Sequence, residues 1–304
     1  MTRILIDDKV LILLGCFNEI NDIGTSMNWD LTVTSKRKLL DLKLREVIRY
    51  RDLILMFFIR DFTVIYKQTI LGPLWHILSP LLATIIYAFV FGNILGIGTD
   101  GIPALLFFYG GNMLWTFFST CLNSGSGMFI TNAGIFGKVY FPRLTVPIAT
   151  TMSAISKLLI QFLILMVFLV YYIRSGHDVR PTPFALLFPV MIIWLGAIGI
   201  GFGMIFSALT TKYRDLNNVM ALMLQLAKYL TPVIFPLSQV PERFRFFFYI
   251  NPVSAPMELF RIWFYGAGHV PPLMILISVA ITILVLFFGL ILFTRTERTC
   301  MDVI

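Results

Sequence analysis

The stretch SALTTKYRDLNNVMALM, Ser207–Met223, sets Lys212, Arg214 and Asp215 between two long apolar runs. A polar knot this compact in so apolar a chain reads as a turn between two membrane crossings, held on one side of the bilayer by its basic residues. Composition agrees. Of 304 residues, 58% are hydrophobic and 13% charged, with a mean hydropathy of +0.85, whereas a soluble domain carries about 25% charged residues. Cys16, Cys121 and Cys300 fall in no paired spacing, so neither a disulfide framework nor a metal site is expected.

Outward from the knot, six apolar stretches are long enough to cross a hydrocarbon core that takes about 20 helical residues. They are expected near 74–97, 103–129, 145–173, 184–210, 217–237 and 271–293, a six-helix domain over 71–295 with a short tail at 296–304. With an inside N terminus, Lys138, Arg143, Lys212, Arg214, Arg295 and Arg298 fall on the inner side. Arg174, Arg180, Arg243, Arg245 and Arg261 fall outside. Together with the basic N-terminal region this places both termini in the cytoplasm. The net charge of +8 follows from that bias and from attraction to anionic lipid; nothing points to nucleic acid.

Residues 1 to about 70 differ in kind, holding eleven of the 24 basic and nine of the 16 acidic residues. LILLGC at Leu11–Cys16 resembles a lipoprotein cleavage box. Asp7 and Asp8 stand where a positive leader belongs, however, and the apolar core is too short, so 1–35 reads as a cytoplasmic extension. Over 36–70, Leu40, Leu44, Val47 and Ile48 recur at helical spacing with Asp41, Arg45 and Arg49 on another face, an amphipathic helix lying in the interface. Leu53–Ile59 is too short to span and closes with Arg60 and Asp61, so it extends that element. Between the last two spans, PERFRFFFYINPVSAPMELFRIWFYGAGHVPP fits one or two short helices dipping into the outer interface, or an aromatic-anchored loop.

No catalytic constellation is visible. His76, His177 and His269 are scattered, and NAGIFGKV has Asn132 and Val139 where a phosphate loop needs Gly and Ser or Thr. Two lysines stand out, Lys157 in SAISKLLIQ and Lys228 in LQLAKYLTP, each about ten residues inside its span, or about 15 Å deep. An intramembrane lysine is costly and usually paired or facing water, yet the six spans contain no Asp or Glu. Either the lysines meet an anionic substrate, such as a lipid pyrophosphate, or they snorkel to headgroups and bond neutral oxygens. Tyr87, Phe89 and Phe91 could stack on sugars or form an ordinary aromatic belt. IFGKVYFPRLTVP joins Lys138 and Arg143 to Phe136, Tyr140 and Phe141, expected to be exposed as a docking surface or as headgroup anchors.

YKQTILGPLWHILSPLL, GIPALLFFYGGNMLWTFF, GKVYFPRLTVP, KYRDLNN, TPVIFPLSQVPE and NPVSAPMELFR stand in order at matching topological positions. Over about residues 50 to 265 they resemble the membrane subunit of type-2 ABC exporters, the polysaccharide and O-antigen export permeases. The resemblance implies a homodimer in the bacterial inner membrane with two copies of a P-loop ATPase subunit, which alone would hold ATP and Mg, moving an undecaprenyl-pyrophosphate-linked polysaccharide. It further implies a coupling loop at Phe136, Gly137, Lys138, Tyr140, Phe141 and Arg143, re-entrant helices over 240–268, and a channel lined by the first and fifth spans. Arg214 and Asp215 would brace its inner mouth, Asp215 capping the fifth span or pairing with an Arg. Exporters of teichoic acid, drugs or other lipids are the nearest alternative. A membrane transferase would need clustered carboxylates or histidines near an interface, and an ion-coupled carrier an intramembrane carboxylate, and the spans lack both.

Overall fold

The computed structural model describes residues 4–6, 31–33, 48–67, 74–136, 141–213 and 215–303. The chain divides into two compact units, Met1–Leu42 and Lys43–Ile304. In the first, β1 (Ile4–Ile6) pairs in parallel with β2 (Leu31–Val33), with Leu5 opposite Thr32. The all-α expectation omitted this pair; its β-branched residues suit extended backbone.

The second unit is built of helices. α1 (Arg51–Lys67) is followed by α2 (Trp75–Tyr87), which runs directly into a π-helical stretch, Ala88–Ile94. Next come α3 (Ala104–Ser126), the short α4 (Met128–Thr131) and α5 (Ala133–Phe136), then α6 (Thr145–Arg174) and α7 (Phe188–Lys212). α8 (Leu216–Ala227), α9 (Glu242–Ile250), α10 (Ser254–Tyr265) and α11 (Pro272–Val303) complete the chain. Five segments are long and apolar enough to cross a membrane: Ile77–Ile94, Ala104–Ser126, Thr145–Arg174, Pro183–Thr211 and Pro272–Thr296. Each lies within a few residues of a predicted span, because length and apolar content alone decide them.

α3 is the centre of the bundle, with Leu106 to Trp115 buried against α6, α7 and α10. Tyr109 donates to the Gln161 carbonyl of α6, and Tyr265 of α10 donates to the Leu106 carbonyl. Where α3 crosses α7 the backbones touch. A Cβ on Gly125 would stand 2.9 Å from the Gly203 Cα, the close approach that small residues permit between helices in lipid.

The predicted fifth span, 217–237, is not one long helix. α8 ends at Ala227 after 12 residues, about 18 Å of rise, and the chain continues in turns to Phe235. Pro232 accounts for the break, since its ring clashes with the carbonyl four residues back and it donates no hydrogen bond; Pro236 repeats the effect. The freed backbone is satisfied from neighbouring elements. Asn251 Nδ2 donates to the Leu230 carbonyl and to Thr231 Oγ1, Arg261 donates to the Pro232 carbonyl, and the Leu237 amide donates to Glu258. Thr231 to Ile234 are buried, as irregular backbone in an apolar setting must be.

Candidate functional site

The break in the fifth predicted span places a charge. Lys228 is the first residue past α8, where a cation suits the negative end of the helix. Its ammonium donates to Tyr87 Oη at 2.9 Å and to Asn112 Oδ1 at 2.8 Å, tying α8 to α2 and α3. Tyr87 closes the α-helical part of α2 at the junction with the π-helical stretch, a widened geometry common at functional sites. Phe91, one turn on, packs against Tyr87 at 5.9 Å and Phe108 at 6.4 Å. Phe89 points the other way and is exposed.

Two neutral oxygens hold this lysine, and among the described residues no carboxylate pairs with it. Moving a lysine to the bilayer centre costs about 2.5–3.5 kcal/mol. A hydrogen bond to a charged group returns about 1.5–3 kcal/mol, so the two bonds offset the transfer while leaving the charge uncancelled. An ammonium has three donors; among the described residues none accepts from the third. A cavity of about 340 Å3 opens beside it, lined by Tyr87, Ser119, Asn123, Gln225, Lys228 and Tyr229 among others. Trp115 and Leu224 separate it from an apolar cavity of about 490 Å3 that continues along Met220, Phe202 and Phe247.

Behind the break stands a second charged group. Glu258 and Arg261 of α10 are 1% and 3% exposed and ion-paired. Arg261 also lies over the Phe107 ring at 3.9 Å and reaches the Pro232 carbonyl. Burial pushes the Glu258 carboxyl above the ordinary carboxylate range, with Arg261 and the Leu237 amide pulling it back. The sequence reading placed Arg261 as an exposed flank and assigned Glu258 nothing. Their spacing of three on a helix is the signal that was present.

The sequence model of the ABC-2 type transporter family matches residues 52–265, which take in α1 through α10 and every group just described. The chain belongs to the ABC-2 type transporter family. It is 30% identical over 212 residues to the O-antigen export system permease protein RfbA of Klebsiella pneumoniae, covering 69% of this chain and 79% of that protein. It is 25% identical over 244 residues to RfbA of Myxococcus xanthus, 79% and 91% of the two chains. The polysialic acid transport protein KpsM of Escherichia coli is 25% identical over 245 residues, 79% and 92%.

In this ABC-2 transporter chain the other expected site residues divide. Gly137, Lys138, Tyr140 and Arg214 lie outside the described residues. Phe136 and Phe141, expected to be exposed, are 6% and 5% exposed. They pack on each other, on Phe129 and on Phe57 of α1, in a cluster that includes Phe293 of α11. Arg143 is buried too, its guanidinium 5.3 Å from the Phe136 ring and 5.8 Å from Phe129. Large rings on a short loop therefore fasten it to α1 and to the helix ends, because the bundle supplies apolar surface that the loop sequence alone does not reveal.

α1 packs along α6, and Asp61, which precedes the spans, acts electrostatically on Lys157 while also pairing with Arg60 at 2.8 Å. Asp215 occupies the position before α8, exposed, and its side chain makes no capping hydrogen bond.

Proposed function

We propose that the chain is the membrane-spanning subunit of an exporter for a lipid-linked, O-antigen-like polysaccharide in the bacterial inner membrane. The observation that carries this is the family match across α1 to α10 together with relatives named for O-antigen and polysialic acid transport. The chain works as a homodimer with two copies of a separate P-loop ATPase, which holds ATP and Mg. α8 and the turns after it form the fifth of six crossings, both termini are cytoplasmic, and α9 and α10 sit at the outer face as re-entrant helices. α1 lies along the inner interface. Residues 137–140 meet the ATPase, and Phe136, Phe141 and Arg143 pass its motion into α1 and α11 through the cluster they share. Arg214 and Asp215 brace the inner mouth.

Lys228, Tyr87 and Phe91 line the passage. In this reading Lys157 serves α1 docking rather than substrate. Co-purification of the tagged chain with a P-loop ATPase, followed by ATPase assays in proteoliposomes, tests the proposal. Stimulation by lipid-linked glycan and not by small amphiphiles is expected. Stimulation by amphiphiles alone would make it an exporter of drugs or simple lipids, and transport by this chain without an ATPase would overturn it.

A further inference from the structure

We infer that the cavity beside Lys228 is a binding subsite for a phosphate-bearing anion, with Lys228 as the charged contact and Tyr87 and Asn112 as positioning residues. For its biological ligand the inference rests on the export reading above; its chemistry is read from the pocket. Three observations converge. The ammonium is held by the Tyr87 hydroxyl and the Asn112 amide oxygen, with the Tyr87 ring 4.7 Å away, which fixes the Nζ without neutralising it. Among the described residues no group accepts from its third donor, and the cavity of about 340 Å3 beside it is lined by further polar side chains, Ser119, Asn123 and Gln225. A Lys held solely to glue helices would need no such space.

The fourth pointer is contrast. Lys157, at similar predicted depth, feels the charge of the Asp61 carboxylate of α1, whereas the groups bonded to Lys228 are neutral oxygens. An anion entering the cavity is the compensating charge. Phosphate oxygens suit an ammonium as a point charge with rotatable donors, and Ser119, Asn123 and Gln225 can donate to the remaining oxygens. Trp115 and Leu224 line both this cavity and a mainly apolar one beside it, so an anion held here can lay an apolar chain alongside.

The test is binding of radiolabelled farnesyl pyrophosphate to the full chain in zwitterionic nanodiscs. Saturable binding is expected, and Lys228→Gln, which keeps donors for Tyr87 and Asn112 but removes the charge, should weaken it about tenfold or more. Lys228→Arg should stay within about threefold, and Lys157→Met should not change it. Ser119→Asp guards against misfolding: a carboxylate in the same cavity should raise thermal stability by pairing with Lys228 while abolishing probe binding, a split that a purely structural lysine would not produce. Displacement by inorganic pyrophosphate would mean that the free anion is recognised; Lys228-dependent binding without such displacement would assign the site to a lipid head. Equal binding by wild type and Lys228→Gln, equal binding of farnesol, or no saturable binding overturns the inference. Lys228-dependent binding in a protein whose loss leaves surface polysaccharide unchanged would instead remove the export reading and keep the subsite.

Discussion

Replacing Glu258 by Gln isolates the buried ion pair behind the break in the predicted fifth span. The change is nearly isosteric, and the Gln oxygen still accepts from the Leu237 amide and Arg261. What disappears is the countercharge for a guanidinium that is 3% exposed. Two unit charges about 4 Å apart at an effective dielectric of about 20 attract by about 4 kcal/mol, and breaking buried pairs by removing one partner costs about 3–5 kcal/mol. At about 2 °C per kcal/mol for a chain this size, the apparent melting temperature in nanodiscs should fall by about 6–10 °C. Arg261→Met should cost at least as much, because the Pro232 carbonyl also loses its donor. The double variant Glu258→Leu with Arg261→Met should be milder than the sum by about 2 kcal/mol or more, since no charge is then left buried. A fall below about 2 °C for Glu258→Gln, or strict additivity of the two changes, would refute the assignment of this pair as the support of the break.

Three further outcomes are expected. Gly203→Val pushes a branched side chain into Gly125 and the Leu122 carbonyl, 2.8–2.9 Å from the site of a Cβ; it should reduce folded yield on size-exclusion chromatography far more than Gly134→Ala, whose Cβ meets nothing within 4 Å. Phe141→Ala opens the cluster joining Phe57, Phe136 and Arg143. A loss of about 3–5 kcal/mol should appear as faster hydrogen exchange in α1, with ATPase stimulation falling while co-purification persists; unchanged exchange in α1 would count against the fastening role. Asp61→Asn and Lys157→Met should each speed exchange in α1 by a factor of about 2 to 5, the scale of about 0.5–1 kcal/mol for a half-solvated pair, and neither should alter export; an export defect in Lys157→Met with unchanged α1 exchange would return that lysine to the passage.

Particular residues explain how much could be read in advance. Five crossings were legible because apolar length is a property of the chain itself, and Lys228 stood out because a charge in such a run is rare. Lys157 stood out by the same signal, and Asp61, the acid whose charge acts on it, lies beyond the span boundary and 96 positions earlier. Phe136 and Phe141 were read as exposed because a short charged loop looks solvated until α1 and α11 are brought against it. Pro232 and Pro236 were on the page throughout. An unbroken apolar run outweighed them, although a proline clash with the preceding turn is local and could have ended the helix near Lys228.

The sequence by itself determined that this is a membrane protein of several apolar helices, where the polar turns between them fall, and the resemblance that the family match bears out. All of these depend on transfer energies and motifs that add along the chain. Only the tertiary structure decided that the helix predicted over 217–237 breaks at Lys228, that Glu258 and Arg261 stand behind the break, and that Tyr87 and Asn112 receive its ammonium. Those partners come from α2, α3 and α10, and the energy of a buried charge depends on which groups packing brings within a few ångströms. The knot at Lys212 to Asp215 falls between the end of α7 and the start of α8. It also proves to open a short helix whose far end carries the charge at the site.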